Sequence, residues 1–225
     1  MTDTPASTAT TAREVPRDDL SGLIKAYDVR GIVGEQIDAA LVREVGAALA
    51  RLLRAESAET GVVVVGHDMR PSSPELVAAF AEGVTAHGLD VVNIGLASTD
   101  MLYFASGALD VPGAMFTASH NPAKYNGIKL CRAGASPIGA DTGLATIREA
   151  VEQGVPAPAA GTTPGTVLSA GPGTPCSTAS RMLSNPVSAP IGDAPARQSL
   201  MPLYCAGLWL AVNIAPGTSR APEAK

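Results

Sequence analysis

Four consecutive valines, Val62-Val63-Val64-Val65, lie between Gly61 and Gly66 and constrain this chain more than any other feature. A continuous β-branched run has no polar face to turn to water, so it predicts a strand covered on both sides, at the centre of a sheet. Upstream, Ile37, Leu41, Val45, Ala48, Leu49, Leu52 and Leu53 recur at helical spacing. Asp38 is placed to cap that helix and Ile37 to staple onto Val42, which predicts a helix over 39–54. Downstream, Ser73 and Pro74 offer an N-cap and first helical position for a helix that Gly88 ends, and 91–95 reads as the next strand. Strand, helix, strand with short connections is a βαβ unit, whose ligand crevice lies beyond the carboxyl ends of its strands. A short strand at 113–116, a returning strand at 128–131 and a helix over 141–153, with Gly154 after it, complete an α/β domain.

The ends of the chain read differently. Residues 1–19 are Thr/Ala-rich with mixed charges and no apolar segment, which predicts a disordered arm and not a signal peptide. From about Gly161 the alternation of strand and helix stops. Nine of the 18 prolines but only six of the 37 charged residues fall in the last 65 positions, so 166–225 is expected to be an irregular tail. A net charge of −5 excludes the broad basic surface of a nucleic-acid binder. Any phosphate-bearing ligand must be met locally. The longest apolar run, 203–215, is too short to span a bilayer and contains Asn213. Three scattered cysteines, Cys131, Cys176 and Cys205, form neither a disulfide framework nor a zinc pattern, which fits a soluble protein of the reducing cytoplasm.

Chemistry concentrates between Thr117 and Lys129, in Thr-Ala-Ser-His-Asn-Pro-Ala-Lys-Tyr-Asn-Gly-Ile-Lys. A serine in a loop after a short strand is presented outward, and loop amides can solvate a phosphate attached to it. Ser119 is the candidate nucleophile. Its hydroxyl is weak at neutral pH, so phosphoryl transfer needs a base and charge compensation, which Lys129 on the returning strand can supply. Asn126-Gly127 reads as a turn pair that tolerates positive φ. Read without context, Ser-His-Asn-Pro is equally a plain polar loop. A serine-hydrolase triad fits less well, because no Gly-x-Ser-x-Gly elbow is present. His67 reads as a loop or packing histidine, and His87 as a helix-end residue.

Two further segments narrow the reading: Tyr27-Asp-Val-Arg-Gly31, and Gly66-His-Asp-Met-Arg70 at the end of the valine strand. Together with Thr117-Ala-Ser-His-Asn-Pro122 and Asn126-Gly-Ile-Lys129, in this order, they resemble the first domain of the α-D-phosphohexomutases, in the bacterial phosphomannomutase/phosphoglucomutase branch. The resemblance runs over about 20–165. It implies a three-layer, mixed-sheet α/β domain and an isomerase that moves phosphate between the 6- and 1-positions of a hexose through a bisphosphorylated sugar. It makes Ser119 the phosphate carrier. Arg30 and Lys129 match basic residues assigned to proton transfer and charge stabilisation. Tyr27 matches a substrate-contact position, His120 borders the phosphoserine with Asn121 beside it, and Arg70 matches support of the serine loop. Pairing of Arg30 with Asp28, or of Arg70 with Asp68 or Glu75, remains a structural alternative.

The resemblance also implies Mg²⁺, bound by the Ser119 phosphate and three aspartates of a second-domain Asp-Gly-Asp-Gly-Asp loop. That loop is not in this sequence, nor is the family's Gly-Glu-x-Ser-Gly-His sugar loop. Two readings follow: a hexose-phosphate mutase acting on mannose or glucose phosphates, or a truncated, non-catalytic phosphohexomutase-like module with weak phosphosugar or partner binding. An uncovered interdomain face is expected to promote self-association.

Overall fold

The computed structural model describes residues 19–169, so the expectations for 1–18 and 170–225 lie outside the described residues. The valine run forms β2 (Val62–His67). It lies inside the sheet, parallel to β3 (Asp90–Leu96) on one side and to β4 (Gly113–Phe116) on the other. β5 (Tyr125–Arg132) runs antiparallel to β4, and β1 (Val29–Ile32) antiparallel to β5. With β7 (Val167–Ser169) on the far side of β3, the order is β1-β5-β4-β2-β3-β7, and the short β6 (Ser136–Pro137) folds back on β5. The sheet is mixed, as expected.

Alternation along β2 explains why the run contains no polar residue. Val63 and Val65 point into the large core built with α1 (Ala39–Glu56), α2 (Ser73–Ala86) and α4 (Leu144–Glu152), whereas Val64 meets Leu102 of α3 (Thr99–Leu109) and Met115 on the opposite face. All three valines are fully buried, which gives an α/β/α sandwich. At the start of α1 the Leu41 amide donates to the Asp38 carboxylate at 2.7 Å, and Ile37 and Val42 are both fully buried. α1 and α2 pack almost backbone to backbone: a β-carbon at Gly83 would lie 2.0 Å from the Arg43 carbonyl oxygen, and one at Gly46 2.4 Å from that of Phe80.

Several local expectations change. Ser72, not Ser73, stands at the N-cap position of α2 and makes no side-chain capping bond, while the Ser73 hydroxyl donates to Asp68. The last helix starts at Leu144 instead of 141, since 140–142 tightens into a 3₁₀ turn and Gly143 breaks the path at φ 129°. Asn126-Gly127 is not a turn. Both residues lie within β5, which begins at Tyr125. Gly127 is needed for close approach, because a β-carbon there would sit 2.4 Å from the Val29 carbonyl oxygen and 3.0 Å from that of Thr117. Val167–Ser169, within the stretch expected to be an irregular tail, forms a short strand that pairs with β3. Helix α3 was not anticipated. Its signal was Ser98, which caps it by accepting from the Met101 amide, followed by Asp100 in the first turn.

Candidate active site

The connection from β4 to β5 carries Ser119 at the carboxyl end of the parallel strands, where an α/β sheet opens to ligands. Ser119 has φ 53°, a left-handed conformation unusual for a residue with a β-carbon. The surrounding loop holds it there. Its amide donates to the Thr117 hydroxyl at 3.1 Å, and the Asn121 side-chain amide donates to the Ala118 carbonyl at 2.8 Å. The Ser119 hydroxyl oxygen lies 3.3 Å from His120 Nδ1, so the predicted neighbours Ser119, His120 and Asn121 form one group.

Arg70 reaches this loop from the β2–α2 connection. Its Nη1 donates to the carbonyls of Pro122 (2.9 Å) and Tyr125 (2.8 Å), and its Nη2 to those of Ser119 (3.0 Å) and Asn121 (2.9 Å). Nε donates to Asp68 at 3.1 Å. Loop support and the Asp68 pair, the alternatives left open by the sequence, are therefore both present. Asp68 also accepts from the Arg70 amide and the Ser73 hydroxyl, and the fully buried Asn126 side chain donates to Ser72 and Ser73. One hydrogen-bonded network thus links β2, α2, the serine loop and β5. Buried polar groups satisfied in this way fix a backbone where an apolar contact would let it slide.

Arg30 and Lys129 form the second cluster. Register places Arg30 opposite Gly127, whose carbonyl accepts from the Thr117 amide, so Arg30, Gly127 and Thr117 share one rung across three adjacent strands. Two strand spacings put the Arg30 backbone about 10 Å from that of Thr117. Asp28 accepts from the Arg30 guanidinium through Oδ2, and Lys129 Nζ donates to the same oxygen at 3.4 Å. The Arg30–Asp28 pair foreseen as an alternative is present, within a three-residue cluster. Tyr27 stands in the preceding turn, which is closed by the Lys25 amide on the Asp28 carbonyl, and its side chain is 75% exposed. Its ring packs near Gly139, where a β-carbon would be 3.3 Å away.

An open cleft of about 550 Å³ runs beside Ser119, lined among others by Met69, Ala97, Ser98, Thr99 and Met115. His67 stays local, with Nδ1 2.8 Å from the Asp68 carbonyl oxygen. His87 meets the carbonyls of Gly83 and Pro156 and takes no part in the site. Among the described residues no three His, Cys, Asp or Glu side chains gather to hold a metal ion. Around Ser119 the partners are a guanidinium, an imidazole and an amide, and this donor set does not fit Mg²⁺ without carboxylates from elsewhere. The sequence had not singled out Asp28, Asp68, Ser73 and Asn126 as working residues. Asp28 and Asp68 each precede a site arginine by two positions, a signal that could have marked them.

The described residues thus form a three-layer α/β domain with a left-handed serine at its strand ends and basic side chains on the adjoining strands. The model of the family "Phosphoglucomutase/phosphomannomutase, alpha/beta/alpha domain I" matches residues 21–156, and the chain belongs to that family. It is 47% identical over 128 residues to the "Phosphohexose mutases" protein of Xanthomonas campestris pv. campestris, covering 56% of this chain and 28% of that relative. It is 43% identical over 130 residues to a phosphomannomutase of Klebsiella pneumoniae, covering 57% of this chain and 80% of the relative. A solved phosphoglucomutase/phosphomannomutase family protein from Burkholderia thailandensis superposes with a TM-score of 0.59 at 32% identity, covering 69% of this chain and 33% of that one. The chain thus spans less than a third of the length of the Xanthomonas relative. Among the described residues no helix is long and apolar enough to cross a membrane.

Proposed function

We propose that Ser119 accepts and returns a phosphoryl group in a mutase reaction that moves phosphate between the 6- and 1-positions of mannose or glucose phosphates. In the forward half-reaction the phosphoserine P–Oγ bond breaks while a bond forms from phosphorus to a sugar hydroxyl oxygen. The hydroxyl proton leaves the sugar and ends on Ser119 Oγ. The resulting bisphosphorylated sugar then gives its other phosphoryl group back to Oγ, and the proton returns to the sugar. Arg30 and Lys129 offset the charge of the transferring group and convey the proton, Tyr27 and His120 border the substrate, and Arg70 and Asn121 hold the loop.

The observation that carries this reading is the direction of the loop carbonyls. Those of Ser119, Asn121, Pro122 and Tyr125 all turn to Arg70. Their negative ends are thereby offset by a guanidinium charge, which suits a loop that must tolerate a phosphate of about −1.5 to −2 charge. Phosphorylated Ser119 would offer oxygen ligands to Mg²⁺, which would offset charge on the phosphate, but the described residues supply no carboxylate cluster to complete such a site, and no step is assigned to the ion. A cytoplasmic setting is in keeping with the free, buried thiol of Cys131.

The test is intact-mass analysis of the full chain incubated with glucose 1,6-bisphosphate, beside a coupled assay of mannose 1-phosphate turnover with Mg²⁺. One phosphoryl group gained by the wild type and not by Ser119→Ala supports the proposal. Equal modification of both proteins, or of neither, overturns it and leaves a non-catalytic module. Met69 and Leu96, 86% and 66% exposed, supply apolar surface for self-association, and sedimentation independent of concentration would contradict that part.

A further inference from the structure

We infer that Asp28 is a positioning residue: its carboxylate holds the Arg30 guanidinium and the Lys129 ammonium together and acts on the phosphoryl group only through them. The inference rests on the roles just proposed for Ser119, Arg30 and Lys129. Its foundation is register. Val29 pairs with Ile128, so one rung back Asp28 faces Lys129 across the antiparallel pair, while Arg30, two residues along β1, projects from the same face as Asp28. Three charged side chains separated by up to 101 positions therefore meet on one side of the sheet.

The charges make this arrangement specific. Asp28 is nearly sealed, with 8% of its side chain exposed, while Arg30 and Lys129 keep 31% and 27%. A carboxylate that deeply buried is stable only when paired, and here one oxygen serves both cations. Without it, two like charges on neighbouring strands would repel and separate. With it, the cluster keeps one net positive charge. The Arg30 Nε is buried and has no hydrogen-bond partner, so the guanidinium retains an unspent donor. Asp28 cannot usefully touch a phosphate, which it would repel. Its part is to keep two cations close enough to meet one.

Asp28→Asn keeps the size and removes the charge. In the full chain, three readings are taken: thermal melting, the rate of phosphoryl transfer from glucose 1,6-bisphosphate to Ser119 as the bisphosphate is varied, and the acylation rate of Lys129 by peptide mapping. A native-like melt is expected, with the maximal transfer rate down about tenfold and the half-saturating concentration moved by less than about threefold. Lys129, released from its partner, is expected to acylate several-fold faster. In a Lys129→Met background the same change is expected to cost less than about threefold, because the two residues act as one unit. An unchanged transfer rate and unchanged acylation would overturn the proposal, as would a full tenfold loss persisting in Lys129→Met. If Asp28→Asn fails to fold, Asp28→Glu retains the charge and displaces the oxygen by one methylene. A wild-type transfer rate in that variant would overturn the proposal. Should the wild type accept no phosphoryl group, the mutase reading fails by itself, and the acylation comparison alone decides whether Asp28 holds Lys129.

Discussion

Arg70 and Arg30 each follow an aspartate by two residues, in Asp68-Met-Arg70 and Asp28-Val-Arg30, yet the fold uses the two guanidinium groups in opposite ways. Arg70 spends Nε, Nη1 and Nη2 on Asp68 and four loop carbonyls. Arg30 makes its pair with Asp28 and leaves Nε without a partner. The lesson is that the tripeptide does not define the role. Arg70 follows β2 beside the serine loop and the first residue of β5, whose carbonyls accept from it, and it becomes a brace. Arg30 lies on an edge strand whose backbone is already paired with β5, and its side chain turns to Asp28 and, among the described residues, to no loop carbonyl.

Substitutions can break or sharpen that contrast. The largest loss of stability is expected from Arg70→Ala, which takes a charged donor away from four carbonyls and the Asp68 carboxylate, at about 3 kcal/mol in denaturant unfolding. Arg70→Lys should recover little of it, because an ammonium has three donors and no planar fork. Gly127→Ala comes next, at about 2 kcal/mol, because its methyl group would press on the backbone that separates the two clusters. Arg30→Met should cost only about 1 kcal/mol of stability, since Lys129 still answers Asp28, while phosphoryl transfer to Ser119 is largely lost. A stability loss as large as that of Arg70→Ala would erase the distinction between brace and working group.

The smallest effect lies away from both. Arg132 hydrogen-bonds Glu56 and holds its carboxyl below the ordinary range. A folded-state pKa below the unfolded one gives stability that is present at neutral pH and is lost as pH falls through the folded value. The pair is partly exposed, so solvent screening limits Glu56→Gln to about 0.5 kcal/mol at pH 7, and the difference should vanish in acid. Urea titrations of both proteins at several pH values would check this.

The legible parts of the fold were those written in nearest neighbours. β4 was read at its observed bounds, and α1 at its observed start with its Asp38 cap, because alternation and capping are set by residues one to four positions apart. Helix α3 was missed for a physical reason: Met101-Leu-Tyr-Phe is apolar in succession, so no clean face marks the helical period. Asn126-Gly127 was misread because the same pair that suits a turn also suits a strand crowded on both sides. Four short segments carry Ser119, Lys129, Arg30 and Arg70, and the structure sets Arg70 against the serine loop and Arg30 beside Lys129 at Asp28. Asp28 was seen only as a competitor for Arg30.

The sequence by itself determined the central strand, the helix that precedes it, the serine loop and the family, since each depends on short-range pattern or on motifs kept in order. Only the tertiary structure decided that Arg70 grips carbonyls about fifty residues away, and that Asp28 gathers a lysine 101 positions distant. Those contacts follow from β4 lying beside β2, and β1 beside β5. Strand order is set by how the whole sheet buries its two apolar faces, a balance over the entire core that no single segment encodes.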